Sequence, residues 1–560
     1  MVLAGTGLPH AWAGQAQWRV LETAFGQGLN FLSAWDAWRR DPRRPRLLHF
    51  ASIAPAPVTA EDMLRGAQTR PELIPLATEL AAQWWGLVPG VHRLAFEGGQ
   101  VLLTLAVGDA RVALQEQAFV ADNVCVDGAD PPLLDLPALK AIARLCRRRT
   151  AIAIGDARAQ TQRDLQQCGF VLDKVPGSVS ARELMRGRFD PPWTLRNEAT
   201  PLAATAGRAL VIGAGLAGAA AAGSLARRGW QVQVVDGADS PAAGASALPA
   251  GLLAPHSSPD DNLLSRLSRA GVRMTLHQAS MCLLAGIDWD RSGVLERRSA
   301  EARPAADLGA NGAPWHEGRP EGLWHAAGAW IKPAALVRAW LAEPGIAFKG
   351  GTQVHRLEPS GTSWRALDAD GVPLAEAELV VIAAALGSGH LLPKPVTLNP
   401  VRGQVSWLLR GDGLQLPSSP VNGNGHFLPS VPVPDGMAWL TGSTYSRGDT
   451  SLEARPQDHL ANLDRLRDLL PAVSEALAPA FASGSVQAWT GVRCASSDRR
   501  PLVGEVAPGL WVSTAMGSRG LTFAHLAAEL LAARLHGEPL PLPARLAAAI
   551  DVARQLAEAP

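Results

Sequence analysis

The sequence has few of the residues that mark secreted, metal-binding or membrane-spanning proteins. Its 560 residues include five cysteines, an odd number without a CxxC pair, which indicates reduced thiols rather than disulfides or a zinc site. The formal net charge of +1 gives no overall field for nucleic acid, so a polyanion must bind a local patch. No apolar run is long enough to span a bilayer, and the first residues lack the pattern of a signal peptide. The composition therefore predicts a soluble cytoplasmic protein without a metal.

The residues that are present predict a folded chain with more than one domain. Apolar residues make up 47% and charged residues 18%, as in ordinary globular proteins, and the length exceeds what one hydrophobic core usually holds. Strands and helices alternate before residue 187, which predicts a parallel sheet with helices on its faces. A proline-rich stretch without periodicity then indicates a linker. We therefore predict a first domain over residues 1–190, a linker over 191–206 and a second domain over 207–560.

A glycine loop early in the second domain carries the strongest functional signal. An apolar strand ends at Ile212, and Gly213, Gly215 and Gly218 follow it in GxGxxG spacing before an Ala-rich helix. The first glycine permits a tight turn, the second lets a pyrophosphate approach the backbone, and the third lets the helix pack on the strand. Asp236 ends the next strand, at the distance that suits a ribose diol. Together these features predict a dinucleotide site.

A weaker glycine loop lies near the start of the chain. Glu22 ends a predicted strand, and Gly26 and Gly28 precede a predicted helix. Sheets that bind S-adenosylmethionine use such a loop for the methionine moiety, with acids at neighbouring strand ends for the amine and ribose. The same residues also suit an ordinary strand-to-helix turn. From the residues alone, both interpretations stay open.

Further motifs in both halves resemble those of one family. In the N-terminal half they are Phe25-Gly-Gln-Gly-Leu-Asn-Phe-Leu, Leu48-His-Phe, Gly108-Asp109 and Asp127-Gly128. In the C-terminal half they are Gly244-Ala-Ser246, Pro400-Val-Arg402-Gly-Gln, Thr490-Gly-Val-Arg493-Cys-Ala-Ser-Ser-Asp and Gly517-Ser-Arg519-Gly520-Leu. Over nearly the whole length, their order resembles the MnmC family of bifunctional proteins of tRNA 5-methylaminomethyl-2-thiouridine biosynthesis.

This resemblance implies an α/β fold and a two-step activity. A Rossmann-like methyltransferase domain would precede a FAD-binding Rossmann domain with an inserted antiparallel-sheet substrate subdomain, similar to D-amino-acid and glycine oxidases. The flavin domain would remove the carboxymethyl group from 5-carboxymethylaminomethyl-uridine at the wobble position of tRNA, leaving the aminomethyl form. The methyltransferase domain would then methylate the amine with S-adenosylmethionine. FAD, S-adenosylmethionine and tRNA are thus the implied cofactors and partner.

The motifs also assign expected roles to residues. Arg493 occupies a position that resembles the carboxylate-binding arginine of glycine oxidases, and a guanidinium fork suits a carboxylate. Arg519 is a second candidate near the flavin, and Tyr445, the only tyrosine, suits either a pocket wall or a half-buried strand position. Arg402 is expected to order its strand. The expected FAD-binding residues are Gly213, Gly215, Gly218, Asp236, Gly244, Ser246, Gly517 and Gly520. The expected residues of the methyltransferase site are Glu22, Gly26, Gly28 and Asp109, with Asp127 as its catalytic candidate.

Four departures from the family concern the methyltransferase half. Ala24 stands where the family has a glycine, and a side chain there costs affinity if the backbone needs glycine. Ala54 stands where the family has a ribose-holding acid. The loop after Asp127 is shortened, and residues 177–182 replace a basic glycine-rich loop. We therefore predict that this half keeps its fold and binds S-adenosylmethionine weakly or not at all.

Other functions and contacts remain open from the sequence. The C-terminal motifs equally suit an amine oxidase of free small amino acids, and Asp236 alone would also suit a nicotinamide dehydrogenase. Arginine clusters at residues 39–46 and 144–149 suit either tRNA phosphates or solvated surfaces. His256, His325, His426 and His525 show no metal spacing, and we expect them to be hydrogen-bonded or on the surface.

Overall fold

The computed structural model describes residues 3–127, 135–155, 159–174, 184–195, 205–299 and 301–556. The chain forms two compact units. The first comprises Met1–Thr205 together with Ala532–Ala547, and the second comprises Ala206–Leu531 together with Ala548–Pro560. The sequence predicted one division near residue 200. The structure adds the return of residues 532–547 to the first unit, a feature without a local sequence signal.

One eight-stranded sheet organises the described residues of the first unit, in the order β3-β4-β2-β1-β5-β6-β8-β7. Its strands are β1 Gln17–Glu22, β2 Leu47–Ala54, β3 Gly90–Phe96, β4 Val101–Val107, β5 Ala121–Asp127, β6 Cys146–Gly155, β7 Phe170–Lys174 and β8 Leu184–Phe189. The neighbours β4, β2, β1, β5 and β6 are parallel, as predicted. The prediction of a wholly parallel sheet is wrong for β3, β7 and β8, which pair antiparallel. At one edge the reason is the short turn between β3 and β4, which leaves no room for a crossover helix.

Helices cover this sheet and close its core. They are α1 Leu29–Arg40, α2 Ala60–Ala67, α3 Ile74–Ala82, α4 Ala110–Gln115, α5 Leu136–Arg144 and α6 Ala159–Gln167. Residues 60–82 form two helices, α2 and α3, rather than one. Arg70 between them is extended (φ −145°, ψ 84°) because the ring of Pro71 disfavours a helical residue before it. Trp35, Trp38 and Phe31 of α1 are almost fully buried.

The C-terminal segment of the first unit is held by buried arginines. Arg19 on β1 is 3% exposed, and its Nη2 donates to the His536 carbonyl at 3.0 Å. Its Nη1 lies 3.6 Å from the Asp122 carboxylate, and Arg93 donates to the Pro539 carbonyl. A buried donor that loses its acceptor costs free energy, so these residues make residues 532–547 part of the first unit.

We expect Arg19→Met to lower the free energy of unfolding of the first unit by about 2–4 kcal/mol, since it removes one partner from a buried ion pair. The Asp122 carboxylate would retain the side chain of Arg147, at 2.6 Å, and the backbone N–H of residue 19, at 2.9 Å. Urea unfolding combined with hydrogen exchange of β1 measures this loss. Arg40→Met is the matched control, because Arg40 is largely exposed and paired with Asp36, and it should cost less than about 1 kcal/mol. Equal effects of the two variants would contradict the assigned role.

The second unit contains the remaining strands and helices. Its strands are β9 Arg208–Ile212, β10 Gln231–Val235, β11 Gly251–Leu253, β12 Trp289–Asp290, β13 Val294–Glu296, β14 Glu317–Arg319, β15 Gly322–His325, β16 Ala329–Ile331, β17 Ile346–Lys349, β18 Arg356–Ser360, β19 Ser363–Leu367, β20 Pro373–Ala377, β21 Leu379–Ile382, β22 Leu398–Leu409, β23 Val421–Gly423, β24 Gly425–Val433, β25 Gly436–Gly442, β26 Ser446–Arg447, β27 Gln487–Ser496, β28 Leu502–Ala507 and β29 Leu510–Thr514. Its helices are α7 Leu216–Arg227, α8 Leu263–Cys282, α9 Pro333–Leu341, α10 Ser388–Leu391, α11 Pro456–Leu469, α12 Pro471–Ala482, α13 Gly520–His536, α14 Ala544–Ala548 and α15 Ala553–Leu556, of which α13 and α14 extend across the division between the units.

The second unit contains two large sheets. A six-stranded sheet has the order β17-β10-β9-β21-β29-β28 and is parallel except for β28. A nine-stranded sheet, antiparallel except where β13 meets β23, is built mainly on β22, β24, β25 and β27. This arrangement confirms a Rossmann-type domain with an inserted antiparallel sheet. Ligands of such parallel sheets bind outside the carboxyl ends of the strands, so the site is expected beyond Ile212 and Val235.

No described helix combines the length and the apolar character needed to cross a membrane. Within the same described ranges, no group of three or more His, Cys, Asp or Glu side chains is placed to hold a metal ion.

Candidate functional site

The glycine loop between β9 and α7 has the geometry that its spacing predicts. Gly213 has φ +107°, and a Cβ there would lie 2.5 Å from the Ala383 carbonyl oxygen. A Cβ on Gly218 would lie 1.8 Å from the carbonyl oxygen of Gly213. Both positions therefore exclude any side chain. The close approach at Gly218 packs the first turn of α7 directly against the loop.

The start of α7 presents backbone donors. The N–H groups of Gly215 and Ala217 have no hydrogen-bond partner among the described residues, and both residues line the adjacent cavity. The Leu216 N–H donates to Ser246 Oγ at 3.0 Å. Unpaired N–H groups at a helix start attract phosphate oxygens, so this end of the helix suits a pyrophosphate.

Asp236 lies beside this loop at the end of β10. Its carboxylate accepts hydrogen bonds from the backbone N–H groups of Ala214 (2.7 Å) and Ala238 (2.9 Å). These two bonds fix the carboxylate at the cavity wall, which it lines together with Gly237. A carboxylate has further lone pairs, so Asp236 retains acceptor capacity for a ribose diol.

A single cavity of about 930 Å³ connects the glycine loop with the predicted substrate end. The predicted site residues that line it are Gly213, Gly215, Asp236, Gly244, Ser246, Arg493, Gly517, Arg519 and Gly520. Gly218 and Tyr445 do not line it. Three of the four sequence motifs after residue 240, those at Gly244, Thr490 and Gly517, thus line one cavity together with the glycine loop. The cavity is lined both by the unpaired backbone N–H groups at the start of α7 and by the buried cation Arg493. This combination suits a dinucleotide cofactor together with a substrate.

Arg493 on β27 is the most constrained cation of the cavity. Its Nη2 donates to Ser443 Oγ at 2.6 Å, while Nη1 is buried without a hydrogen-bond partner among the described residues. A Cβ on Gly403 would lie 2.2 Å from Nη1, so the bare backbone there makes room for the guanidinium. Burial lowers the pKa of Arg493. An unpaired buried cation calls for an anionic partner, and a substrate carboxylate would supply one.

Arg519 and Tyr445 adjoin Arg493. The guanidinium carbon of Arg493 lies 5.6 Å from the centre of the Tyr445 ring, within the range of a cation–π contact. Burial also lowers the pKa of Arg519, and the nearby Tyr445 opposes that shift. Tyr445 is 43% exposed and supports the arginine from outside the cavity. It lies between β25 and β26 and does not line the cavity, so it occupies neither of the two settings that the sequence suggested.

Arg402, by contrast, has the structural role that the sequence predicted. Its side chain is fully buried; it pairs with Asp458 and donates to the Ser451 carbonyl at 2.9 Å. These contacts tie β22 to the segment before α11. Arg402 does not line the cavity, so it orders the substrate sheet without entering the site.

The sequence missed two histidines of the site. His256 and His426 both line the cavity, which the sequence did not indicate, although His256 is hydrogen-bonded to Ser265 as expected. Nε2 of His426 is buried without a partner among the described residues, and burial next to Arg493 lowers the pKa of His426 to about 4. His325 matches the expectation, since it bonds the Trp315 carbonyl and Glu296. No spacing rule marks the other two, because only the folded sheets bring them to the cavity.

In the first unit, Glu22 and the glycine loop lie where the sequence predicted. Glu22 ends β1 and is 1% exposed. Its Oε1 accepts from Asn30 Nδ2 at 2.9 Å and its Oε2 from Ser52 Oγ at 2.6 Å. Gly26 and Gly28 have φ values of +52° and +76°, which favour glycine. Glu22 therefore already links the ends of β1 and β2 to the start of α1.

The two aspartates of this half lie at neighbouring strand ends. Asp109 follows β4 and caps α4, accepting from the Val112 N–H at 2.9 Å. The backbone of Asp127 ends β5, which is parallel to β1. The carboxyl ends of β4, β2, β1 and β5 therefore form one edge, and the predicted residues of this half meet there. The shortened loop after Asp127 and the loop over residues 177–182 lie outside the described residues.

The structure removes one reason to expect weak binding of S-adenosylmethionine, the one that concerned Ala24. Ala24 has no positive φ, so its backbone does not require glycine and the predicted dihedral cost does not arise. Ala54 ends β2 and is 4% exposed, and it places a methyl group at the edge where the family has an acid. The case for weak S-adenosylmethionine binding therefore depends on Ala54 more than on Ala24.

Most of the arginines in the two predicted clusters are engaged within the chain. Arg39 pairs with Glu97 at 2.9 Å, Arg147 with Asp122 at 2.6 Å and Arg148 with Asp190 at 3.1 Å. Neutralised arginines release fewer counterions from a polyanion. The clusters are thus weaker phosphate sites than their sequence indicates.

Comparison with known proteins covers both units. A family model described as FAD dependent oxidoreductase matches residues 208–534, and one described as S-adenosyl-L-methionine-dependent methyltransferase matches residues 71–190. The protein named tRNA 5-methylaminomethyl-2-thiouridine biosynthesis bifunctional protein MnmC from Polaromonas naphthalenivorans (strain CJ2) is 50% identical, covering 98% of this chain and 92% of its own. Its namesake from Polaromonas sp. (strain JS666 / ATCC BAA-500) is 51% identical with the same coverage. The crystal structure of glycine oxidase from Bacillus cereus ATCC 14579 covers 59% of this chain and 95% of its own, at 20% identity and a TM-score of 0.47.

Proposed function

Because the chain belongs to the MnmC family of bifunctional tRNA 5-methylaminomethyl-2-thiouridine biosynthesis proteins, we propose that it modifies the wobble uridine of tRNA in two steps. The second unit removes the carboxymethyl group from 5-carboxymethylaminomethyl-(2-thio)uridine by FAD-dependent oxidation. The first unit then methylates the resulting aminomethyl group with S-adenosylmethionine. A tRNA substrate supports a cytoplasmic location. FAD is the cofactor of the matched oxidoreductase family, which rules out the nicotinamide alternative.

The observation that carries the oxidase step is the placement of Arg493. Its buried, unpaired Nη1 lines the same cavity as the glycine loop and Asp236. A guanidinium holds a carboxylate by two parallel hydrogen bonds, and the carboxymethylamino group ends in a carboxylate. Arg493 would therefore fix one end of the reacting group.

The residues of the cavity account for the requirements of the oxidation. When bound, FAD accepts a hydride from the carbon beside the substrate nitrogen. Gly215 and the start of α7 would hold its pyrophosphate, and Asp236 its ribose. Gly517 and Gly520 flank the start of α13, whose backbone N–H groups would stabilise negative charge on the ring. Positioning of the C–H bond by Arg493 then supplies much of the rate.

A test of the two-step function follows the modified nucleosides. Transfer RNA from cells that lack this protein is incubated with the purified holoprotein, with or without S-adenosylmethionine, and digested for mass spectrometry. We expect carboxymethylaminomethyl-uridine to fall and aminomethyl-uridine to appear, with methylaminomethyl-uridine only when the methyl donor is present. Unchanged carboxymethylaminomethyl-uridine, together with rapid oxidation of free glycine or sarcosine, would favour a small-molecule amine oxidase instead.

For the first unit, we expect isothermal calorimetry to show S-adenosylmethionine binding weaker than micromolar. The reason is Ala54, which offers no carboxylate to the ribose at the end of β2, and one lost charged hydrogen bond costs about 1.5–3 kcal/mol. Ala54→Asp should tighten binding, and Ala54→Asn, which accepts without a charge, is the matched control. Micromolar binding by the unchanged protein would contradict the prediction.

A further inference from the structure

His256 follows β11 and lines the cavity that contains Arg493 and Arg519. Its Nδ1 lies 2.9 Å from Ser265 Oγ in the first turn of α8. Its Nε2 has no hydrogen-bond partner among the described residues. The ring thus has one nitrogen engaged by the protein and one left for a ligand.

One arrangement of the Ser265 hydroxyl leaves a lone pair on His256 Nε2. Asn262 Oδ1, which can only accept, lies 3.1 Å from the N–H of Ser265 and 3.3 Å from its hydroxyl oxygen. With the hydroxyl hydrogen directed to Asn262, Ser265 Oγ accepts from His256 Nδ1 at 2.9 Å. In this arrangement the proton of the neutral imidazole is on Nδ1, and Nε2 has the lone pair that the proposal below requires.

The contact between Ser258 and Ser265 is compatible with Ser265 Oγ as the acceptor of the hydrogen bond from His256. Ser258 Oγ accepts the Asn262 backbone N–H at 2.9 Å and lies 3.0 Å from Ser265 Oγ. Its own hydroxyl hydrogen is free to point at Ser265 Oγ, which then acts as acceptor twice. Ser258 and Ser265 are 7% and 0% exposed, so water does not compete for these bonds.

The charges around His256 keep the ring neutral. Burial is the main cause that lowers its pKa, and Arg519 lowers it further. Glu296, which also lines the cavity, opposes this, yet its carboxylate is engaged by His325 at 2.8 Å and by Arg298 at 2.7 Å. A neutral imidazole protonated on Nδ1 is an acceptor at Nε2 and a poor base.

We propose that His256 Nε2 accepts a hydrogen bond from the N–H of the substrate secondary amine while Arg493 holds its carboxylate. This inference rests on the oxidase function proposed above. A neutral secondary amine has one N–H and one lone pair. With the N–H directed to His256, the lone pair is left to form the C=N bond as the C–H bond gives up its electron pair to the flavin. No proton is transferred to His256 in this step.

Single-turnover flavin reduction tests the proposal on the full-length holoprotein with carboxymethylaminomethyl-tRNA. We expect His256→Leu to slow reduction by about 10–100-fold, because the buried N–H loses its acceptor. His256→Gln, whose amide oxygen reaches the position of Nε2, should recover most of the rate. Equal rates of the Leu variant and the unchanged protein would overturn the proposal, and so would equal losses in both variants.

Two further measurements distinguish a hydrogen-bond acceptor at His256 from a residue that shapes the pocket or accepts a proton. Propionate, a carboxylate without an amine, should perturb the flavin spectrum with the same dissociation constant in His256→Leu as in the unchanged protein; a large loss would show that His256 shapes the pocket instead. The pH profile of reduction should be the same in His256→Gln and the unchanged protein, and an ionisation lost in the Gln variant would identify a proton acceptor. If the unchanged protein reduces its flavin with glycine and not with tRNA, the proposed substrate fails, and the same variants test His256 on glycine.

Discussion

Arg493→Ala should lower kcat/KM for carboxymethylaminomethyl-tRNA by about 10²–10³-fold while the purified protein retains its flavin. The loss follows from removing one member of a buried charge pair, which costs about 2–5 kcal/mol, and each 1.4 kcal/mol is a factor of ten. Arg493 lines the same cavity as the glycine loop, and its Nη1 is buried without a hydrogen-bond partner among the described residues. Stopped-flow flavin reduction and nucleoside mass spectrometry measure the effect.

Two variants sharpen this result. Arg493→Lys keeps the charge and loses the bidentate fork, so it should fall between the unchanged protein and Arg493→Ala. Arg467→Ala is the matched control, since Arg467 is exposed and paired with Asp464. Methylation of tRNA that already has the aminomethyl group should be the same in all of these proteins. Full oxidase activity in Arg493→Ala would remove the carboxylate clamp from the proposed function.

Gly218→Ala should yield a protein without bound FAD. The new Cβ would lie 1.8 Å from the carbonyl oxygen of Gly213 and 3.3 Å from a methyl group of Val211. Neither the loop nor the strand can retreat without moving the start of α7, and overpacking of this kind costs about 1–3 kcal/mol. The ratio of flavin to protein absorbance and the thermal unfolding of the second unit measure both consequences.

The same helix offers the control for this variant. Gly223 also lies in α7, and a Cβ there would meet only ordinary contacts at 3.5 Å, with Trp340 and Arg227. Because alanine favours a helix over glycine by about 1 kcal/mol, Gly223→Ala should keep its flavin and unfold at the same or a higher temperature. A Gly218→Ala protein with a full complement of flavin would show that the loop does not bind the cofactor as proposed.

The parts of this protein that could be predicted are those whose signals lie close together along the chain. The strand before Gly213, the glycine spacing and the strand that ends at Asp236 form one βαβ unit, and their contacts follow from backbone geometry alone. These local patterns did not indicate that β3, β7 and β8 pair antiparallel. The reason is that strands joined by a hairpin and strands joined by a crossover can have the same residue pattern and differ only in the path of the connecting segment.

By itself, then, the sequence determined the dinucleotide loop, the two-part organisation and the choice of Arg493 as the candidate carboxylate-binding residue. Only the tertiary structure decided that His256 and His426 share the cavity with Arg493, that Ser265 lies within hydrogen-bonding distance of His256, and that residues 532–547 belong to the first unit. The physical reason is that periodicity and spacing report interactions between near neighbours in the chain. Hydrogen bonds and burial between distant segments exist only after the sheets have assembled, and in this protein those distant contacts set the charge and the protonation of the site.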